Sequence, residues 1–458
     1  MRNITLRKIQ KVTRGRLFNA ESVMDIEITG IISDSRRAKD GCLFICIKGE
    51  KVDGHDFAEG VIDNGAIAVI AEKEMPGFTG PYLLVDSTFE ATKVIAELYR
   101  STLSTKFIGI TGSVGKTSTK EFIATVLSRG YKVHKTKGNL NNEWGVPFTI
   151  FDIKEDTEIA VIEMGINHFG EMERLAKMVR PDAVVMTNIG QSHLEYLGSR
   201  DGILRAKAEI FTYLAQDGQV FLNGDDDKLN QISNVNGIKP KFYGLDGSCD
   251  VSAVNIVSKG LKGSSFDIIL RDGDGRMSMR VNMPVPGRMM IYNALAAYLV
   301  GVNMGISPLQ IKYALEDVSS LAGRNNIIST EKYIILDDCY NAAPASMKSS
   351  IDVLKETEGR KVAILGDMFE LGDDTEQFHY DIGKYAADAG IDLIICVGDF
   401  SNKTYLGAKM NTDNQVEYYT SVEDCITYLP DLLSKDDNIL VKASNRMHFS
   451  DIVSFLQS

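Results

Sequence analysis

The sequence predicts an α/β protein of three domains: a central P-loop domain built on a parallel sheet, flanked by a small α/β N-terminal domain and a Rossmann-like C-terminal domain. Three observations predict it. The chain has 458 residues, a length that suggests about three domains. Short, nearly continuous apolar runs alternate with helical stretches, as buried parallel strands and their crossovers do. That alternation is interrupted near residues 250–285 by an antiparallel pattern and restarts after residue 323. The expected divisions are therefore 1–86, 87–323 and 324–458.

In the first stretch, Val69-Ile70-Ala71 and Leu83-Leu84-Val85 are strand candidates between Gly- and Asp-punctuated loops. Residues 87–104 read as a helix leading into the central domain. There, strands are expected at 106–110, 159–162, 183–187 and 219–222. Residues 252–257, 265–270 and 277–281 alternate in polarity between Gly and Asp turns, which predicts an antiparallel insertion, and 291–303 reads as a helix. In the last stretch, strands are expected at 334–336, 362–365, 393–397 and 439–441, with helices between them.

Composition narrows the function. Hydrophobic residues make up 44% and charged residues 24%, an ordinary globular balance. A net charge of −12 argues against nucleic acid and anionic membrane as partners, while leaving room for a local basic pocket. The six cysteines (Cys42, Cys46, Cys249, Cys339, Cys396, Cys425) are scattered without a CxxC pair. Reduced thiols in a cytoplasmic protein are the plain expectation, with no zinc site or disulfide framework. The N-terminus lacks a signal-peptide pattern, and no apolar run is long enough to span a bilayer.

The strongest local signal is Thr111-Gly112-Ser113-Val114-Gly115-Lys116-Thr117-Ser118, which follows the 106–110 strand and precedes a helix expected from Lys120 to Leu127. Glycines let successive backbone N–H groups face one phosphate cluster, and the helix start adds favourable partial charge. Lys116 would reach the β- and γ-phosphates, and Thr117 would place a hydroxyl on magnesium. Ile110 stands where the general pattern has its first glycine; here that glycine is shifted to Gly112.

Three further residues stand beside or after strand ends. Glu163 closes the 159–162 strand and could hold magnesium, or equally cap a helix or pair with a cation. His193 follows the 183–187 strand and could be a ligand or an ordinary histidine. Lys207, in the helical Arg205-Ala206-Lys207-Ala208-Glu209-Ile210-Phe211, reads by itself as a solvated helix lysine. Their shared placement favours one site.

These segments resemble the Mur ligase family. The resemblance rests on the 111–117 loop, Gly138-Asn139-Leu140-Asn141-Asn142, Glu163-Met164-Gly165, Thr187-Asn188-Ile189 with His193-Leu194-Glu195, and Lys207-Ala208-Glu209-Ile210. It extends to Ser33-Asp34-Ser35-Arg36, Asp53-Gly54-His55-Asp56, Asp337-Asp338-Cys339-Tyr340-Asn341-Ala342-Ala343-Pro344 and Gly366-Asp367-Met368 with Glu370-Leu371-Gly372. The resemblance implies an ATP-dependent, magnesium-requiring ligase, monomeric and cytoplasmic, joining D-alanyl-D-alanine to UDP-N-acetylmuramoyl-tripeptide through an acyl phosphate. It implies that residues 111–118 bind ATP, with Lys116 and Thr117 serving ATP and magnesium. Glu163 and His193 would serve a second magnesium, together with a carbamylated Lys207. Asn293 would contact adenine, Arg324 a phosphate and Asp338 the ribose. Ser35, Arg36, Asp53 and His55 would contact the UDP-sugar, and Asn141, Asn142, Tyr340 and Asn341 the remaining substrate. Met289-Met290 stands where the family often has His-Asn, and Ala343 where it has Asn. A related amide ligase with another amine, or a non-catalytic nucleotide-binding partner, shares part of this pattern; assays with different amines and with both co-substrates separate them.

Overall fold

The computed structural model describes residue 1, residues 3–272 and residues 275–458. Its strands form three sheets. The first contains β1 (Arg16–Phe18), β2 (Gly30–Ile32), β3 (Cys42–Ile45), β4 (Ala68–Ala71) and β5 (Tyr82–Leu84), in the order β1-β5-β4-β3-β2. Only β1 runs antiparallel to its neighbour.

The central sheet comprises β6 (Lys106–Thr111), β7 (Val133–Lys135), β8 (Ile159–Glu163), β9 (Ala183–Met186), β10 (Gln219–Asn223), β11 (Lys241–Gly244), β12 (Val251–Ser258), β13 (Ser264–Asp272) and β14 (Gly275–Met283). Their order is β14-β13-β12-β11-β10-β9-β6-β8-β7. Pairing is parallel from β7 to β12 and antiparallel through β12, β13 and β14, which is the insertion the alternation predicts. The Gly273-Asp274 turn expected there lies outside the described residues.

The third sheet contains β15 (Asn326–Ser329), β16 (Tyr333–Asp337), β17 (Lys361–Gly366), β18 (Leu393–Val397), β19 (Gln415–Tyr419) and β20 (Asp437–Lys442), ordered β15-β16-β20-β17-β18-β19 and parallel apart from β15.

Strand β6 shows why the central strands read as continuous apolar runs. It is covered on both faces, so Phe107 and Ile110 are both fully buried. One face packs with the first sheet's residues in a shared core that includes Ile4, Ile70, Ile95 and Phe107. The other packs under helices Lys116–Leu127 and Arg288–Asn303. Burying one such phenylalanine contributes about 2–3 kcal/mol. The connecting helix Thr88–Arg100 starts at Ser87, whose hydroxyl accepts from Glu90 N at 3.3 Å, and ends four residues earlier than the expected 87–104 stretch. Its Tyr99 Oη donates to Ile153 O (2.7 Å) and Arg100 lies 3.8 Å over the Phe107 ring, which ties it to the central domain.

The six cysteines are free, and five are buried. No helix among the described residues is long and apolar enough to cross a membrane.

In the third sheet's cover, helices Thr375–Asp388 and Ser401–Lys409 pack backbone to backbone, so a Cβ on Gly383 would collide with Thr404 O. Gly383→Ala is expected to destabilise this region by about 1–3 kcal/mol, the usual cost of overpacking. A lowered urea midpoint of unfolding would report it, and a midpoint equal to the parent's would exclude the close approach.

Candidate active site

The parallel register brings three strand ends together. Ile110 pairs with Glu163 across β6 and β8, and Thr111 pairs with Met186 across β6 and β9. The chain leaving β6 turns through Gly112 at φ +144°, where a Cβ would collide with Thr187 Oγ1 just past β9. This turn needs glycine on both counts. Gly115, at φ +85°, starts the helix Lys116–Leu127 without a side-chain cap. The helix begins one turn earlier than the sequence suggested, and its first N–H groups are left for an anion. Asn188 braces the loop from β9, accepting from Val114 N at 3.0 Å and donating to Val114 O at 2.9 Å. Lys116 Nζ donates to Gly112 O (2.8 Å) and Ser113 O (3.3 Å). Burial lowers its pKa, with Glu163 opposing and Arg324 adding to the shift.

Glu163 is buried at the end of β8. Its Oε1 accepts from Thr117 Oγ1 at 3.1 Å and Asn141 Nδ2 at 2.8 Å. Its Oε2 has no hydrogen-bond partner; the nearest cation is Lys120 Nζ at 3.8 Å. Lys120 is itself buried and donates to Thr136 O at 2.7 Å. Glu163 caps no helix, and one of its oxygens is open.

Lys207 corrects its reading as a solvated helix lysine. It is 0% exposed, and Nζ has no hydrogen-bond partner. Helix Arg200–Ala208 turns it inward beside Ala206, a placement that its local sequence does not encode. Burial, and then the Lys116 cation, push its pKa well below the ordinary lysine value, which favours a neutral amine.

His193 is at φ +62°, starting the short helix Leu194–Leu197. Its Nδ1 lies 2.6 Å from Glu370 Oε2 in the loop after β17. Burial lowers the imidazole pKa; the Glu370 bond opposes this, and Lys116 and Lys207 reinforce it. Glu370 is held below the ordinary carboxylate value, chiefly by the bond to His193.

On helix Arg288–Asn303, packed beside the phosphate loop's own helix, Asn293 Oδ1 accepts from Thr119 Oγ1 (2.8 Å), and its amide donates to Met290 Sδ (3.4 Å). The Arg324 guanidinium lies 4.0 Å over the Tyr340 ring. Asp338, just past β16, accepts from Asn325 N (3.0 Å), Ser350 Oγ (2.6 Å) and Lys442 Nζ (2.5 Å). Asn341 Oδ1 accepts from Ala342 N at 2.9 Å, and Asn142 Oδ1 from Gly145 N at 2.8 Å.

A cavity of about 610 Å³ gathers residues 113–118, Asn141, Asn142, Glu163, His193, Asn293, Arg324, Asp338, Tyr340 and Asn341. Thr111 and Gly112 lie behind the loop, and Lys207 is buried without lining the cavity. Ser35, Arg36, Asp53 and His55 are not brought to it. The Arg36 fork closes on Asp34 (2.8 and 2.9 Å), while Asp53 accepts from His55 and Lys73. Sequence reasoning assigned no role to Lys120, Asn188, Glu370 or the Phe89–Trp144 pair, whose rings are 4.6 Å apart beside the cavity. Lys120 stands one turn after Lys116 and was legible by spacing; Asn188 and Glu370 lie in segments that carry the resemblance, which gave them no role, and the Phe89–Trp144 pair had no local signal.

Three family models match the chain: the Mur ligase middle domain over residues 110–301, the Mur ligase glutamate ligase domain over 323–445, and the Mur ligase family catalytic domain over 27–92. The chain is similar to the UDP-N-acetylmuramoyl-tripeptide–D-alanyl-D-alanine ligase of Bacillus subtilis, at 36% identity over 99% of this chain and 98% of the relative. It is 34% identical to the Escherichia coli enzyme of that name, over 100% of this chain and 99% of that one. Among solved structures, it resembles MurF from Acinetobacter baumannii (TM-score 0.89, 31% identity, covering 99% and 98% of the two chains). It also resembles MurF ligase from Thermotoga maritima in complex with ADP (TM-score 0.80, 26% identity, covering 93% and 97%).

Proposed function

Because the chain belongs to the Mur ligase family, we propose that it joins D-alanyl-D-alanine to UDP-N-acetylmuramoyl-tripeptide in peptidoglycan precursor synthesis, cleaving ATP to ADP and phosphate. The observation that carries the reading is the uncapped start of helix Lys116–Leu127, facing a cavity with Lys116, Glu163 and Arg324. Two anions, a carboxylate and a triphosphate, must meet there, and their repulsion is what such a site has to overcome.

The N–H groups of residues 113–118 and Lys116 hold the β- and γ-phosphates. The tripeptide's terminal carboxylate oxygen attacks the γ-phosphorus, ADP leaves, and an acyl phosphate forms. The dipeptide amine then attacks the acyl carbon, phosphate leaves through a tetrahedral intermediate, and the nitrogen loses its proton. Arg324 balances phosphate charge. Asn293 takes adenine against the apolar Met289 and Met290, and Asp338 takes the ribose. Asn141, Asn142, Tyr340 and Asn341 contact the peptide substrates. Ser35, Arg36, Asp53 and His55 serve the UDP-sugar, outside the central cavity. The three functional units are 1–86 for the UDP-sugar, 87–323 for ATP and 324–458 for closing the ligase site. The enzyme works as a monomer in the cytoplasm, where its ATP is.

The residues fit magnesium. Glu163 keeps one buried oxygen open, and Thr117 and His193 lie in the same cavity wall. When bound, magnesium supplies the positive charge that lets the phosphate and carboxylate oxygens approach. Lys207 fits carbamylation on the same kind of observation. Its buried, unpartnered Nζ favours the neutral amine, and that amine adds to carbon dioxide, releasing a proton and leaving an anionic oxygen donor.

Lys116→Ala is expected to abolish ATP turnover with the fold intact, measured as phosphate release in the presence of both co-substrates; undiminished release would refute the loop assignment. Lys207→Ala is expected to be inactive and to regain activity when short carboxylates such as acetate are added. Full activity without them would reject the carbamate.

A further inference from the structure

His193 and Glu370 come from different sheets, 177 positions apart in sequence. One leaves the carboxyl end of β9, the other the carboxyl end of β17. Both non-glycine residues are left-handed, at φ +62° and +63°, and strain of this kind persists only where the surroundings impose it. The surroundings of Glu370 do so. The Asp367 carboxylate accepts from Ser401 N (2.7 Å) and Ser401 Oγ (2.6 Å), anchoring the loop's start. The buried His379 ring accepts from Met368 N at 2.9 Å, and its other nitrogen lies 2.7 Å from Thr375 O. Phe369 N donates to Ser444 Oγ at 3.2 Å. The carboxylate is thus presented across the cleft on a rigid turn, with Arg446 3.8 Å from its other oxygen. Two residues on, Gly372 stands against the backbone of Glu195, so the turn also meets the segment that carries His193.

A carboxylate can only accept, so the 2.6 Å contact puts the proton of neutral His193 on Nδ1 and leaves the lone pair on Nε2. We propose that Glu370 is a positioning residue for the reaction: reaching across from the third sheet, it fixes the His193 tautomer and ring orientation in which Nε2 can ligate the divalent cation. The proposal rests on the metal role of His193 given above. Its consequence is mechanistic. His193 receives this acceptor only when the C-terminal sheet is seated, so the cation site is complete only in the closed enzyme. Metal binding and closure then favour each other, since anything that binds the closed arrangement better shifts the population toward it.

The experiment uses the full chain labelled with 15N-histidine, with His193→Ala assigning the His193 signal, together with Mn2+ titration in the presence of a non-hydrolysable ATP analogue. Glu370→Ala is expected to move His193 away from the Nδ1–H tautomer and to weaken Mn2+ binding about 10- to 100-fold, the usual cost of removing a carboxylate behind a ligating histidine. Glu370→Gln, whose carbonyl can still accept from Nδ1–H, loses less. The urea midpoint of unfolding stays at the parent value in both variants, which a merely unfolded loop would not allow. An unchanged tautomer and Mn2+ affinity in Glu370→Ala overturn the inference. If His193→Ala weakens Mn2+ binding and Glu370→Ala does not, the positioning role falls and the metal role stands. If neither does, the metal role itself fails.

Discussion

Strand β6 runs between β8 and β9 in a register that sets Ile110 beside Glu163 and Thr111 beside Met186, and that pairing decides what can meet at the cavity. A parallel sheet delivers all its carboxyl ends to one edge. The loop after β6, the carboxylate ending β8 and the asparagine after β9 are therefore neighbours without being close in sequence. Only glycine fits at 112, because the turn is pressed against Thr187. Asn188 then holds Val114 by both its N–H and its carbonyl, so the phosphate loop is shaped by the neighbouring strand as much as by its own glycines.

The same edge concentrates polar groups that the protein alone does not satisfy. Glu163 Oε2 and Lys207 Nζ are buried without hydrogen-bond partners, and each such group costs about 1–3 kcal/mol. A fold tolerates this where a ligand or a modification supplies the missing partner. The cost falls on stability and the benefit on binding, which is the usual trade at a working site.

The domains are joined by different means. The first sheet shares one apolar core with the central sheet, from Ile4 and Ile70 through Ile95 to Phe107. The third sheet keeps its own two cores, to which Leu261, in the turn between β12 and β13, is the one side chain contributed from before residue 323 among the described residues. It meets the central domain largely through polar contacts such as His193 with Glu370 and Ser258 with Glu356. Apolar burial resists separation, whereas exchangeable polar contacts permit it. This division leaves the third sheet held at the cavity by exchangeable contacts rather than by a shared core.

What the sequence by itself determined is whatever a local pattern can carry. Buried strands announce themselves by continuous apolar runs, the insertion by its alternation, and the phosphate loop by glycines before a lysine and a helix. Strands such as β7 (Val133-His134-Lys135) and β11 (Lys241-Phe242-Tyr243-Gly244) escaped because charged, polar or glycine positions leave them no continuous apolar run. Residues at the cavity were legible where chemistry sits on a strand end, as with Glu163 and His193. Only the tertiary structure decided that Lys207, an ordinary helix lysine by pattern, is wholly buried, and that Glu370 meets His193. Both outcomes depend on which helix face another element covers and on how two separate sheets dock. Those are long-range packing choices, settled by summed burial across the molecule, and no window of neighbouring residues contains them.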